Sequence, residues 1–306
     1  MHWHYHLGHL SFNALKQLAL WGEIPKKLAS IRSPHCAGCL YGAMTKIPWR
    51  GKECKSGHAI FTATKPGECI SVDQLISTQA GLFDQNKRAL IKKHYRYATV
   101  FVDHYSRLQY VHLMSSLNSE ETIAAKRAFE QFAAKHGVQI KHYHCNNGQF
   151  TDNTFVATCQ ESHQKLTFCG VNALFQNGVV ERAICNLTKN AQKQLLHAMQ
   201  CWPQAVSMAL WPYALQNATL LHNTMPTCKD GTSCIELFSS IKVGVSLKHA
   251  HTFGCPMFAL QNELASESTI PRWSPRACIG LNLRPSPSYA HNVHLVLSLT
   301  VGLISP

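Results

Sequence analysis

Two spaced pairs of metal-ligand residues near the start of the chain constrain its fold more than any other feature. His4 and His9 are separated by four residues, Cys36 and Cys39 by two, and 26 residues lie between the pairs. Structural zinc takes four tetrahedral nitrogen and sulfur ligands, and a Cys-x-x-Cys turn presents both sulfurs to one ion. The spacing therefore predicts a closed, structural zinc site made by these four residues.

Other histidines and cysteines leave part of this assignment open. His2, His6 and His35 compete with His4 and His9 as ligands. The 13 cysteines are odd in number and widely scattered, which argues against a disulfide framework. The opening residues are polar, unlike a signal peptide, and no apolar run reaches the roughly 18 residues of a membrane span. We expect an intracellular protein of the nucleus or a cytoplasmic particle, neither secreted nor membrane-bound.

The charge balance favours a polyanionic partner. The formal net charge is +13, and residues 1–65 alone hold nine basic and two acidic residues. Such an excess fits nucleic-acid binding, although it also fits an ordinary solvated basic surface.

Composition and periodicity divide the chain into four parts. Residues 1–50 form the His- and Cys-bearing segment, with a helical stretch near 11–21, and residues 51–65 read as a basic linker. Residues 66–225 alternate strand-like and helix-like patterns. Residues 226–306 are rich in Gly, Pro and Ser, with short β-like runs. The expected boundaries are therefore near residues 50, 65 and 225.

The pattern over 66–225 predicts a mixed α/β sheet with helices on its faces. Strands are expected over 69–73, 97–103, 109–114, 139–145 and 165–169. Helices are expected over 119–136 with Ser119 as N-cap, over 177–199 and over 204–223.

Carboxylates stand at the ends of these elements. Asp73 ends the first strand and Glu181 opens the long helix after Gln176-Asn177-Gly178. Acids placed in this way can converge on two Mg²⁺ ions, which serve phosphoryl transfer at DNA. Lone acids at element ends are also common as helix caps or surface charges.

Several motifs together resemble Copia-type retrotransposon polyproteins. Trp3-His4-x-x-Leu7-Gly8-His9 with Cys36-x-x-Cys39 resembles the pre-integrase zinc segment, and 99–107 resembles the second strand and turn of the integrase core. Asn146-Asn147-Gly148-x-Phe150 and 176–182 resemble its Asp-Asn-Gly and Gln-Asn-Gly-x-x-Glu-Arg motifs. The segments 210–212, 222–223 and 286–306 fit as well, the last as a stretch leading toward a reverse transcriptase that the chain lacks.

The resemblance implies a ribonuclease-H-like core with an Asp-Asp-Glu triad that binds Mg²⁺ or Mn²⁺. Asp73 matches the first position and Glu181 the third, while Asn146 stands where the second Asp is expected. The interval from Asn146 to Glu181 leaves 34 residues between them, one fewer than is usual, which a loop can absorb. Asn offers a neutral oxygen in place of a carboxylate, so we expect weakened metal binding. Asp103 is the alternative second acid.

Basic side chains near these sites are candidates for DNA contact. Lys189 and Lys193 follow Glu181 by 8 and 12 residues, near one face of the helix, and could steer phosphates. Arg50 and Lys52 belong to a basic tail of the zinc segment, and residues 87–96 hold a second basic cluster. Each could equally be a solvent-facing charge.

The resemblance implies integration of element DNA into target DNA by metal-dependent strand transfer, and copies of the chain could associate. With Asn146 in the triad we expect this chain to be catalytically impaired. Two alternatives remain: a non-catalytic, zinc-containing DNA- or RNA-binding module, and a decayed transposon remnant.

Overall fold

The computed structural model describes residues 1–43, 63–83, 94–170, 174–226, 231–242, 250–261, 264, 269–287, 289, 293–299 and 304–305. Arg50 and Lys52, most of the predicted linker, and residues 87–93 of the second basic cluster lie outside these ranges.

A five-stranded mixed sheet forms the centre of the molecule. Its strands are β1 (Ile70–Gly81), β2 (Tyr95–Asp103), β3 (Gln109–Met114), β4 (His142–Cys145) and β5 (Lys165–Phe168). The spatial order is β3-β2-β1-β4-β5, with β1, β2 and β3 antiparallel and with β4 and β5 parallel to β1. The predicted α/β, ribonuclease-H-like mixed sheet flanked by helices is confirmed. The fourth strand is three residues shorter at its start than predicted.

Eight α-helices lie in the described residues. They are α1 (His2–His6), α2 (Phe12–Trp21), α3 (Ala37–Ala43), α4 (Ser119–Lys135), α5 (Asn153–Glu161), α6 (Gly178–Cys201), α7 (Trp211–Thr224) and α8 (Cys234–Ser239). The predicted N-cap of α4 is wrong by one residue. The side chain of Asn118, not Ser119, accepts from the Glu121 backbone N–H at 2.9 Å. Sequence inspection did not anticipate α5.

The strict alternation of side chains along β2 produces two cores on opposite faces of the sheet. Val100 and Val102 point to the face covered by α6 and α7, whereas Phe101 points to the face covered by α4 and α5. Because Asp73 pairs with Val100 across β1 and β2, its side chain lies on the α6 face. This register decides which helix can share a site with Asp73.

A second sheet covers the outer part of the α6 and α7 core. It contains β6 (Pro256–Leu260), β7 (Ala277–Pro285), β8 (His294–Ser298) and β9 (Ile304–Ser305), in the order β6-β7-β8-β9. Leu281 and Leu297 of this sheet belong to the same core as Val180 and Leu187 of α6. The second sheet is therefore packed onto the core that α6 and α7 form with the main sheet.

The N-terminal segment also packs on α6 and α7. Leu7, Leu15 and Leu18 form an apolar cluster with Leu221 and Met225 at the end of α7. Helix α3 runs against α6. None of the helices in the described ranges is both long enough and apolar enough to cross a membrane.

The stacked pair Phe101–Phe129 offers a test of the core between the sheet and α4. The two rings lie 4.6 Å apart at 12°, and Phe129 is fully buried. We expect Phe129→Ala to lower the free energy of unfolding by about 3–5 kcal/mol, because it removes buried contacts and leaves a cavity. Urea denaturation measures this.

Phe258→Ala is the matched control, since Phe258 is 76% exposed on β6 and its truncation should change stability by about 0.5 kcal/mol or less. Equal effects of the two substitutions would contradict this packing.

Candidate functional site

Three elements bring the predicted triad together on the α6 face of the sheet, level with the C-terminal end of β4. Asp73 lies within β1, Asn146 follows β4 directly, and Glu181 sits in the first turn of α6. Val72 and Cys145 pair with each other and face α4. Because side chains alternate along extended backbone, the residues that follow them, Asp73 and Asn146, face α6. All three side chains are half-buried.

The pKa of the Asp73 carboxyl reflects this grouping. Burial raises it above its ordinary value, hydrogen bonds from the Gln74 backbone and the Asn146 side chain lower it, and the charge of Glu181 raises it further. The Gln74 N–H donates to Asp73 Oδ1 at 2.8 Å. Asp73, Asn146 and Glu181 therefore interact electrostatically as one cluster.

The amide of Asn146 has its oxygen fully engaged by neighbouring donors. Asn177 Nδ2 donates to Asn146 Oδ1 at 3.1 Å, and the Cys169 thiol donates to the same oxygen at 3.4 Å. Asn146 thus offers a neutral amide, with its oxygen already hydrogen-bonded, at the position where the resemblance places a second carboxylate.

This donor set does not fit a pair of Mg²⁺ or Mn²⁺ ions. A two-metal centre needs oxygen ligands shared between the ions. Here Asp73 and Glu181 supply carboxylates, but the third oxygen, on Asn146, already accepts from Asn177 and Cys169. The side chains as arranged therefore favour hydrogen bonding within the protein over divalent metal binding.

Asp103, the alternative second acid, has a different role. It is fully buried, and its oxygens accept from the Gly67 N–H at 2.9 Å and from the N–H and hydroxyl of Ser106 at 2.7 Å each. These bonds close the turn between β2 and β3. Its pairing with Ile70, three residues before Asp73, places it away from the triad along the sheet.

The four predicted zinc ligands converge in the N-terminal segment. One ligand atom from each of His4, His9, Cys36 and Cys39 lies within 4.8 Å of the others. Cys36 Sγ is 3.4 Å from His9 Nδ1, and Cys39 Sγ is 3.3 Å from His4 Nε2. Ligand atoms around tetrahedral zinc are about 3.3–3.8 Å apart, so the cluster has the dimensions to hold such a metal ion.

Surrounding groups fix this cluster. His4 Nδ1 lies 2.8 Å from the Leu10 carbonyl, which leaves Nε2 directed at the cysteines. Burial lowers the pKa of His9 to about 3, so its ring is neutral. Burial raises the pKa of Cys39 to about 11, whereas a bound cation would favour its thiolate. The competing His2 and His6 contact each other, with ring centroids 3.8 Å apart and planes tilted by 42°, outside the cluster.

The predicted DNA-contacting lysines of α6 have unequal surroundings. Lys189 is half-buried in the part of α6 nearer Glu181. Lys193 lies against α3, where a Cβ on Gly42 would be 3.0 Å from its Cγ, and its Nζ donates to Asn190 Oδ1 at 3.3 Å. Lys193 therefore borders the His/Cys cluster.

Sequence inspection missed several residues that shape the two sites. Cys169 and His144 lie 3.5 Å apart beside Asn146, and Tyr5 and His197 border the His/Cys cluster. The parallel pairing of β4 with β5, which places Cys169 beside His144, is a tertiary feature. Asn177 stood within a recognised motif, but nothing in the sequence showed that its amide bonds Asn146.

Comparison with known sequences finds two related plant proteins. The chain is 24% identical over 234 residues to the retrovirus-related Pol polyprotein from transposon RE1 of Arabidopsis thaliana. It is also 24% identical over 229 residues to the corresponding polyprotein from transposon RE2. Each match covers 74% of this chain and 14% of the relative. These matches confirm the resemblance to Copia-type retrotransposon Pol polyproteins. No family model matches the chain.

Solved integrase structures also align with the chain. The HTLV-2 integrase catalytic core domain in complex with magnesium matches with a TM-score of 0.40 and 20% identity, covering 58% of this chain and 99% of that one. The BIV integrase catalytic core domain matches with a TM-score of 0.40 and 19% identity, covering 57% of this chain and 95% of that domain. A chain of the simian T-cell lymphotropic virus intasome matches with a TM-score of 0.45 and 18% identity. That match covers 97% of this chain and 93% of the intasome chain.

Replacing both cysteines of the His/Cys cluster tests metal binding. We expect one zinc per chain in the 306-residue protein, and none after Cys36→Ser with Cys39→Ser, because two sulfur ligands are lost. Elemental analysis of purified protein measures the metal content.

Cys185→Ser with Cys201→Ser is the matched control, since both residues are exposed on α6. Zinc that persists without Cys36 and Cys39, or a metal-free parent that is fully folded, would contradict the assignment.

Proposed function

We propose that the chain is an integrase-like segment of a retrotransposon polyprotein that binds zinc and DNA but has lost strand transfer. The observation that carries this proposal is the grouping of Asp73, Asn146 and Glu181, in which the Asn146 oxygen already accepts two hydrogen bonds. The ribonuclease-H-like sheet and the Pol polyprotein relatives support the integrase-like part. The chain spans only 14% of those relatives, so any whole-polyprotein activity is an inference as well.

Strand transfer by an integrase joins a 3′ hydroxyl of one DNA to a phosphodiester of another. Such chemistry needs its attacking and leaving oxygens stabilised, normally by two divalent ions held on carboxylates. In this chain Asn146 stands where a second carboxylate is expected, so the site has one negative charge fewer, and the Asn146 oxygen already accepts two hydrogen bonds. Asp73 and Glu181 alone leave the set of metal ligands for strand transfer incomplete.

The excess of basic over acidic residues supports DNA as the partner. The expected substrates are the ends of the element DNA and the target DNA. The net charge is +13, and Lys189 lies on the same helix as Glu181, about 12 Å further along it. Lysine contacts of this type bind phosphates without reading sequence. The proposed zinc ion has a structural role, because four protein ligands leave it no open position.

Asn146→Asp tests the proposed loss of catalysis. The substitution restores a third carboxylate in place of a neutral amide, so the three side chains would again suit two divalent ions. We expect Mg²⁺- or Mn²⁺-dependent joining of a labelled donor DNA end to plasmid DNA to be about 100-fold or more faster in Asn146→Asp than in the unsubstituted protein.

Two variants control this experiment. Gln149→Glu adds the same charge at an exposed position three residues on and should leave joining at background. Asn146→Asp with Glu181→Gln should also be inactive. Full strand-transfer activity of the unsubstituted protein would refute the proposed inactivation. Joining that survives Glu181→Gln would refute the assignment of Asp73, Asn146 and Glu181 as the active site.

DNA binding should persist without catalysis and weaken steeply with salt. We expect the affinity for labelled duplex DNA to fall linearly with salt on logarithmic axes, and Lys189→Gln to lower the slope by about one. Lys135→Gln removes the same charge from the exposed end of α4, on the opposite face of the sheet, and should change little. A flat salt dependence, or no binding at low salt, would count against DNA as the partner.

A further inference from the structure

Two buried ring nitrogens at the junction of the N-terminal segment and α6 have no hydrogen-bond partner among the described residues. They are Nε2 of His9 and Nδ1 of His197. Their rings are neighbours, with centroids 4.9 Å apart at 78°. A buried polar atom without a hydrogen-bond partner is destabilising, so two of them in adjoining rings indicate an interaction that forms in another state of the site.

The chemistry of the His/Cys cluster identifies that state. Nδ1 of His9 is the atom that faces the cysteines, at 3.4 Å from Cys36 Sγ and 3.6 Å from Cys39 Sγ. Binding a metal through Nδ1 requires the neutral ring to carry its proton on Nε2. The buried Nε2 then becomes an obligatory donor and needs an acceptor close by.

His4 shows what such a ligand requires. It faces Cys39 through Nε2, and its outer nitrogen, Nδ1, lies 2.8 Å from the Leu10 carbonyl oxygen. A metal-binding histidine commonly donates its second N–H in this way, which fixes the ring and strengthens the ligand. His9 has no equivalent carbonyl partner among the described residues, and the unpaired Nδ1 of His197 is an acceptor in the adjoining ring.

The packing around His197 holds its ring in place for this role. Tyr5 stacks on it with centroids 4.1 Å apart at 24°. Gly38 lies where a Cβ would be 3.2 Å from His9 Cε1 and 3.4 Å from His197 Cβ. A larger residue at 38 would therefore push the two histidines apart.

We propose that His197 is a positioning residue that accepts the Nε2–H of metal-bound His9 and so fastens the zinc site to α6. The inference rests on the proposed zinc site. It adds a metal-dependent contact to the apolar packing that already holds the N-terminal segment on α6 and α7. Gly42, where an added Cβ would lie 3.3 Å from the Lys193 backbone one turn earlier on α6, extends the same contact.

Two substitutions at His197 separate hydrogen bonding from packing. His197→Phe keeps a ring against Tyr5 but has no acceptor, whereas His197→Asn places an amide oxygen near the position of Nδ1. In the 306-residue protein, competition with a chromogenic chelator should show zinc binding about 10- to 100-fold weaker in His197→Phe. His197→Asn should bind within about threefold of the parent.

Nitrogen NMR of the zinc-loaded parent gives a readout that packing alone would not move. His9 should show a protected Nε2–H and an Nδ1 shifted by metal, with a coupling across the hydrogen bond to His197 Nδ1. The protected proton should survive in His197→Asn and exchange rapidly in His197→Phe.

Each result has a distinct meaning. Equal zinc affinity in parent and His197→Phe, equal weakening in both variants, or a parent spectrum without the coupling would overturn this inference while leaving the zinc site standing. A parent that binds no more zinc than Cys36→Ser with Cys39→Ser would overturn the zinc site and this inference together. Should His197→Phe fail to fold, the parent spectrum and His197→Asn decide the question.

Discussion

Burial of one face of α6 is the constraint on which both sites depend. Val180, Leu187 and Leu195 of that face lie in the core between the main sheet and α7, and burying each such side chain contributes roughly 1.5–3 kcal/mol. Once this face is fixed, Glu181 in the first turn must meet Asp73, and His197 in the penultimate turn must meet the His/Cys cluster. A rotation of the helix would separate both sets at once.

Much of this arrangement could be predicted from sequence, because it follows from the spacing of residues that are close together in the chain. The alternation in β2 and the helical spacing of Val180, Leu187 and Leu195 indicated the sheet and the long helix, and motif resemblance indicated their order. The paired spacings of His4 with His9 and Cys36 with Cys39 pointed to ligands that the fold brings within reach of one another. Short-range spacing is informative here because few backbone geometries present two ligands to one ion.

The remainder depends on contacts between distant segments. The hydrogen bonds of Asn146 come from Cys169 and Asn177, 23 and 31 residues away, and follow from β4 pairing in parallel with β5 and from the entry of α6. His197 meets His9 across 188 positions of sequence. Helix α5 was missed because its Thr- and Asn-containing segment has weak helical propensity and is stabilised by burial of Phe155 and Cys159.

The central claim is that the Asn146 amide occupies the place of a metal-binding carboxylate, while the His/Cys cluster keeps its metal site. Anomalous diffraction from crystals grown with zinc and soaked in Mn²⁺ tests it most directly. We predict a zinc peak between His4, His9, Cys36 and Cys39, and no manganese peak between Asp73, Asn146 and Glu181. Two manganese peaks bridged by Asp73, with the Asn146 side chain turned to place its oxygen on the metal, would contradict the account.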